Sequence, residues 1–262
     1  RQLRNVATSG CCLALQVYRT SRRVKCAQVR HHSSPGVTRE SLHIRHLTDT
    51  QFAVEVEGID FSAPLTSRQL LELQAAFERH SVLVFGKVHL SDEEQVSFTR
   101  QFAECFPGCT LEQSAGPAGR GVASEEAEGL IGRIANFDPE SGKILASTSK
   151  LRRFRAGNGY WHADSSFKLV PALASVLNGR VVPPAGTGGG TEFASTRDAF
   201  TAMPEADRAE LAPLRIIHDF AYSVSLTEET TKLASFKTWR RRLPAVEHAL
   251  VRATASGQSL YL

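Results

Sequence analysis

The feature that most constrains the fold is the order of apolar patterns along the chain. Early on, Thr66 or Ser67 precedes apolar residues at helical spacing, and Ser91 opens a second helix with a capping-box pattern. Short apolar or alternating runs predict strands at 53–58, 81–85, 134–137, 161–170 and 172–182, with a closing hairpin around Ser256-Gly257. Because strands and helices do not alternate regularly, this order predicts a mixed α/β chain, mainly β, and not a doubly wound sheet.

Composition narrows the function classes. The chain has 262 residues, 42% hydrophobic and 22% charged, which is ordinary for a globular domain. It has no apolar run long enough for a transmembrane helix, so no membrane association is expected. The net charge is +4, but most of it comes from residues 1–39, which carry eight Arg or Lys and no acid. The remainder is slightly acidic, so no nucleic-acid partner is expected.

The basic segment 1–39 indicates a separate region before the folded domain, which we place at 40–262. An Arg-rich segment without acidic residues is typical of a transit peptide, which would make the protein mitochondrial, or of a disordered basic tail in a cytoplasmic one. The chain does not begin with Met. Its five cysteines lack disulfide-scaffold or zinc-finger spacing, which favours free thiols in an intracellular compartment.

His162 and Asp164 form the candidate metal site. On a strand, residues two apart face the same side, so an imidazole and a carboxylate could reach one point there. Two His and one carboxylate on one face of Fe(II) leave three positions for a co-substrate and O2. By spacing alone, a structural hydrogen-bonded pair is the commoner interpretation.

The flanking residues are more specific. Trp161-His162-Ala163-Asp164-Ser165-Ser166-Phe167, followed by Gly188-Gly189-Gly190-Thr191-Glu192-Phe193, resembles the TauD/TfdA family of Fe(II)- and 2-oxoglutarate-dependent dioxygenases. The endings of both segments are closest to the 2,4-dichlorophenoxyacetate dioxygenase branch. The resemblance continues, in the family's order, through 56–60, 91–102, 248–252 and 259–262.

The resemblance implies a fold, a site and a reaction. The fold is a double-stranded β-helix, or jelly roll, with flanking helices. His162 and Asp164 bind Fe(II), Thr191 binds the co-substrate 2-oxoglutarate, and Asn158 and Tyr160 are candidate substrate contacts. The reaction uses O2 to hydroxylate a small organic, anionic substrate and releases succinate and CO2. A homo-oligomer is compatible with the sequence.

The chain departs from the family's pattern at its end. The segment that carries the third ligand, a His, and the 2-oxoglutarate Arg has no counterpart before Leu262. His218 and His248 are poor replacements, since His248 matches a family position that is not a ligand. We therefore expect incomplete C-terminal strands, with the missing groups beyond Leu262. A truncated, inactive remnant of the fold is the alternative function.

Two other classes are disfavoured. A different cupin-like metal protein would leave the Thr191 segment without a role. A nucleic-acid module resting on the basic runs 150–155 and 240–242 would lack the interleaved aromatic residues that stack on bases. Arg152, Arg153 or Arg155 would instead steer an anionic substrate toward the metal.

Overall fold

The computed structural model describes the chain in two compact units. The described residues are 11–15, 41–86, 88–106, 131–132, 134–135, 137–138, 141–149, 152, 159–181, 190–226, 232–254 and 256–262, with only the backbone course given at 11–15 and 232–236. The first unit comprises Arg1–Leu111 and Ala174–Ser195, and the second Glu112–Leu173 and Thr196–Leu262. Residues 107–129, Asn158 and the glycines at 186–189 lie outside the described residues.

A five-stranded mixed sheet organises the first unit. Its strands are β1 (Cys11–Leu15), β2 (His43–His46), β3 (Val54–Glu57), β4 (Val82–Val84) and β5 (Ala174–Asn178). Their spatial order is β2-β3-β4-β1-β5, with β2 antiparallel to β3 and the other pairs parallel. β1 lies within the segment predicted as a leader, so this sheet includes a strand that sequence patterns did not indicate. The domain boundary at residue 39 stays a prediction.

Two capped helices cover this sheet. Helix α1 (Ser67–His80) begins after Thr66 and α2 (Asp92–Glu104) after Ser91. Each N-cap hydroxyl accepts a hydrogen bond from the backbone N–H three residues further on. The side chain of that third residue accepts a hydrogen bond from the backbone N–H of the N-cap residue. Both capping boxes satisfy amide groups that the first turn leaves without helical partners. Both helices confirm the sequence prediction.

The core of the first unit lies between these helices and the sheet. It consists of aliphatic and aromatic side chains: Val54, Val56, Leu73, Ala76, Phe77, Leu83, Phe85, Leu90, Phe98 and Phe102. Phe77 and Phe102 meet edge to face, with 5.1 Å between ring centroids. Full burial of one such side chain contributes roughly 1.5–3 kcal/mol to folding.

The second unit combines short helices with two antiparallel strand pairs. Its helices are α3 (Thr196–Thr201), α4 (Glu205–Leu211), α5 (Phe220–Ser225) and α6 (Lys232–Arg242), and its strands are β6 (Arg215–His218), β7 (Val246–Ala249), β8 (Val251–Thr254) and β9 (Gly257–Leu260). β6 pairs with β7, and β8 with β9. The β8–β9 hairpin is the one predicted around Ser256-Gly257.

Packing in the second unit follows from a few buried residues. Phe200 of α3 is buried, as are Leu260 and Tyr261 at the end of β9, the strand that lies along α3. Asp219 caps α5 by accepting bonds from the amides of Ala221 and Tyr222, and its other oxygen pairs with Arg240 of α6. This carboxylate therefore ties α5 to α6.

The prediction of a mixed α/β chain is confirmed. In the described parts of the chain, however, helices hold more residues than strands, and the strands do not close into a barrel. The predicted strand over 161–170 is wrong, because the chain makes turns and bends there. The predicted strand at 134–137 is reduced to a single bridge between Phe137 and Ile144. Within the described residues, none of the helices combines the length and the apolar composition needed to cross a membrane.

Candidate metal centre

The candidate site lies on a turn of the second unit. The amide of Ser166 donates to the carbonyl of Ala163 at 3.3 Å, and the amide of Lys168 donates to that of Ser165 at 2.9 Å. Ser165 has a φ of 59°, in the left-handed region that non-glycine residues seldom occupy. Ala163 is buried while both of its neighbours are exposed. The backbone therefore folds back on itself around a buried Ala163 and presents the side chains on each side of it.

His162 and Asp164 converge at this turn. The His162 Nε2 and the Asp164 Oδ1 are 3.3 Å apart, and the two side chains are 48% and 49% exposed. The His162 Nδ1–H donates to the backbone carbonyl of Tyr160 at 2.7 Å. That bond fixes the ring orientation and leaves Nε2 facing the carboxylate. The turn thus places the two side chains as the strand hypothesis required, by a different backbone route.

The pairing changes the acid–base behaviour of His162. Its hydrogen bond with Asp164 raises the pKa of the imidazole above the usual value, against an opposing effect of partial burial. A proton on Nε2 and a metal cation compete for the same nitrogen lone pair. The site is therefore able to hold a positive charge between these two atoms, as a proton or as a cation.

The geometry fits two neighbouring ligands of one metal ion. Nitrogen and oxygen ligands lie about 2.1 Å from first-row ions, so two adjacent ligands are about 3 Å apart. A ligating imidazole commonly donates its other N–H to a carbonyl, as His162 does to Tyr160. Within the described residues, no third His, Cys, Asp or Glu completes the group. The His162 and Asp164 geometry is therefore compatible with two of the three positions of a facial triad.

Aromatic packing also stabilises the segment that carries this turn. The Phe167 ring lies 4.7 Å from that of Phe220, and the Phe220 ring lies 5.3 Å from that of Trp239. Sequence reasoning assigned no role to these contacts, since the three residues are distant in sequence. The Tyr160 carbonyl was also missed, because a backbone acceptor leaves no signal in residue identity.

The remaining predicted residues fall in different places. Tyr160 lies two residues before His162, and the residue is 59% exposed. Thr191 belongs to the first unit and is exposed in a segment without regular structure. Arg152 donates to the carbonyl of Leu145 at 3.0 Å. Asn158, Arg153 and Arg155 lie outside the described residues. The assigned roles of these residues stay predictions.

His218 and His248 lie together, and neither joins His162 and Asp164 in a described metal-ligand group. Their ring centroids are 5.6 Å apart, and the Tyr261 ring is 4.9 Å from the first and 5.3 Å from the second. This arrangement fits the expectation that both are poor replacements for the missing metal ligand.

Comparison with known proteins gives concordant matches. The model of the taurine catabolism dioxygenase TauD, TfdA family matches residues 43–261. The chain is 32% identical, over 80% of its length, to an alpha-ketoglutarate-dependent 2,4-dichlorophenoxyacetate dioxygenase of Cupriavidus pinatubonensis, covering 69% of that protein. It is 31% identical, over 71% of its length, to an (S)-phenoxypropionate/alpha-ketoglutarate-dioxygenase of Sphingobium herbicidovorans, covering 56% of it.

A solved structure agrees with these matches. The chain resembles AAD-2, crystallised with Mn(II) and N-oxalylglycine, with a TM-score of 0.64 and 31% identity. That alignment covers 85% of this chain and 71% of AAD-2. A second structure, a putative alpha-ketoglutarate-dependent 2,4-D dioxygenase from Burkholderia xenovorans, has a TM-score of 0.59 at 22% identity and supports the fold alone.

Proposed function

Because this chain belongs to the TauD/TfdA family of 2-oxoglutarate-dependent dioxygenases, we propose that it holds Fe(II) through His162 and Asp164 and hydroxylates a small organic anion. Family membership confirms the resemblance and the class of enzyme predicted from sequence. When bound, Fe(II) and 2-oxoglutarate supply the activation of O2, with release of succinate and CO2.

One observation carries the proposal. The His162 Nε2 and the Asp164 Oδ1 are 3.3 Å apart, and the far side of the ring is held by the Tyr160 carbonyl. The chain's own contribution is to hold the His162 ring in this orientation in the absence of a bound metal. Fixed orientation lowers the entropic cost of binding and keeps both ligands on the same side of the ion.

The co-substrate and substrate contacts extend the proposal. The Thr191 hydroxyl is proposed to donate a hydrogen bond to a carboxylate of 2-oxoglutarate, which is the role implied by the family. Asn158 and Tyr160 are proposed to contact the substrate. The exposed rings of Tyr160 and Trp161 beside His162 favour an aromatic substrate, since such rings stack on aromatic groups.

The fuller architecture is also proposed. The family and the likeness to AAD-2 favour a double-stranded β-helix core for the whole protein. The two curated relatives extend well beyond the matched region, because this chain covers 69% and 56% of them. The third His ligand and the 2-oxoglutarate Arg are therefore proposed to lie outside the described residues. A mitochondrial leader and a homo-oligomer remain predictions.

Succinate formation tests the proposed function. The purified whole protein, reconstituted anaerobically with Fe(II), is given 2-oxoglutarate, O2 and 2,4-dichlorophenoxyacetate. We expect succinate, and its loss to background in His162→Ala and Asp164→Ala. His43→Ala is the matched control, because His43 lies exposed on β2 of the first unit. Wild-type activity in either ligand variant would overturn the assignment. Fe(II) binding without succinate would favour the inactive-remnant alternative.

A further inference from the structure

His248 is a buried polar residue that the proposed reaction does not use. It lies on β7, opposite Ile216 of β6, and only 7% of its surface is exposed. Its Nε2–H donates to the backbone carbonyl of Lys168 at 3.0 Å. The two residues are 80 positions apart in sequence, so this bond joins the β6–β7 pair to the segment that carries the metal ligands.

The Lys168 residue is connected to the proposed metal ligands through the backbone hydrogen bonds of their turn. The Lys168 amide donates to Ser165, and the Ser166 amide donates to Ala163, which lies between His162 and Asp164. The two turns share Ser165 and Ser166, so a shift of Lys168 is passed back to the Asp164 backbone. Phe167 fixes the side of the same segment through its contact with Phe220. His248 fixes its end.

The surroundings of His248 favour a fixed ring. The rings of His218 and Tyr261 pack against it, and Tyr261 is fully buried at the end of β9. Arg252 lies over the Tyr261 ring, with its Cζ 4.3 Å from the ring centroid. An apolar residue in place of His248 would pack there but would leave the Lys168 carbonyl without this donor.

The geometry points to His248 as a positioning residue for the metal-ligand turn. It holds the turn at Lys168, and so keeps Asp164 at the distance from His162 at which both reach one ion. This inference rests on the proposed function, because it concerns the same metal site. It adds a residue that acts through the backbone and does not contact the metal.

The Mn(II) affinity of variants at His248 tests whether this residue positions the proposed ligands. Binding of Mn(II) alone is followed by the loss of its free-ion EPR signal in wild type, His248→Leu, His248→Gln and His218→Leu. Hydrogen–deuterium exchange of the peptide covering 162–168 is measured alongside. Gln is chosen because its amide N–H occupies nearly the place of the imidazole Nε2–H. His218→Leu is the matched control, since it removes a ring from the same group and leaves the Lys168 bond.

We expect Mn(II) affinity to fall about tenfold in His248→Leu, the size of effect typical of groups that orient metal ligands. Exchange in 162–168 should become faster in the same variant. His248→Gln should restore both quantities to near wild type, and His218→Leu should leave the affinity unchanged. Affinity equal to wild type in His248→Leu would overturn the inference. An equal loss in His218→Leu, or failure of Gln to rescue, would also overturn it.

Two further outcomes have different consequences: a His248→Leu variant that does not fold, and a wild-type protein that does not bind Mn(II). If His248→Leu does not fold, His248→Asn replaces it, because its shorter amide cannot reach Lys168 and both amides are polar. Equal Mn(II) affinity in the Gln and Asn variants then overturns the inference. If wild type and His162→Ala both fail to bind Mn(II), the proposed function itself is overturned, because there is no metal site to position.

Discussion

Two regions of the molecule are stabilised in different ways. One is the core of the first unit, and the other is the turn at 162–168 in the second unit, called the ligand turn because it carries the proposed ligands His162 and Asp164. The first unit buries aromatic and aliphatic side chains between α1, α2 and the sheet, with Phe77 only 1% exposed. The ligand turn exposes about half of each ligand side chain and is held by backbone hydrogen bonds, one aromatic contact and His248. Non-directional burial provides the stability of the first region, and directional bonds provide the geometry of the second.

The comparison explains how substitutions should separate. Loss of core volume in the first unit removes transfer energy and leaves a cavity, so it acts on the free energy of unfolding. Loss of a contact in the turn removes little buried area but changes the position of two atoms. It should therefore act more strongly on metal affinity than on stability.

The largest effect is expected from Phe77→Ala. Phe77 is fully buried and contacts Phe102 and Phe106, so its loss should lower the free energy of unfolding by about 3–5 kcal/mol. Urea denaturation followed by circular dichroism measures this quantity. Leu71→Ala is the matched control on the same helix, where the side chain is 67% exposed, and should change stability by less than about 0.5 kcal/mol. Similar losses in both variants would contradict the assigned core.

An intermediate effect on stability is expected from Phe167→Ala. Its partly buried ring contacts Phe220, and removal should lower the free energy of unfolding by about 1–2 kcal/mol. Mn(II) affinity should fall by about tenfold, because the side support of the ligand turn is lost. Titration calorimetry measures the affinity, and Tyr222→Ala, at an exposed ring of α5, is the control. A stability loss as large as that of Phe77→Ala, with affinity unchanged, would break the comparison.

Local signals explain what the sequence could predict. The capping boxes at Thr66 and Ser91 are formed within four residues, so both helix starts can be read directly. The hairpin at Gly257 is equally local, and there φ is 127°. β2 was missed because its four residues are all exposed and lack an apolar face. β6 and β7 were missed because their pairing joins distant residues.

The ligand turn shows where reading by pattern fails. Residues 161–170 alternate polar and apolar types, which resembles a strand, but Ser165 adopts a positive φ and breaks the run. The alternation there is therefore not that of a pleated strand face. His162 and Asp164 are predicted as metal ligands through the family resemblance, and the structure brings the two side chains together by a turn. The anchors Phe220, Trp239 and His248 come from distant segments, which no local pattern connects.

The smallest expected effect is the pH dependence of stability that His218 contributes, since its ring packs with those of His248 and Tyr261. Burial lowers the pKa of His218 below the usual 6.5, and nearby His248 and Arg252 act in the same direction. Below about pH 6.5 the unfolded chain binds a proton that the folded chain resists, so the free energy of unfolding falls as pH drops toward the folded pKa. His218→Leu removes this dependence. As pH falls from about 8 to 5, the urea midpoint of wild type should therefore decrease relative to that of His218→Leu. Parallel curves would contradict the lowered pKa, because they would show that His218 is as easily protonated in the folded chain as in the unfolded one.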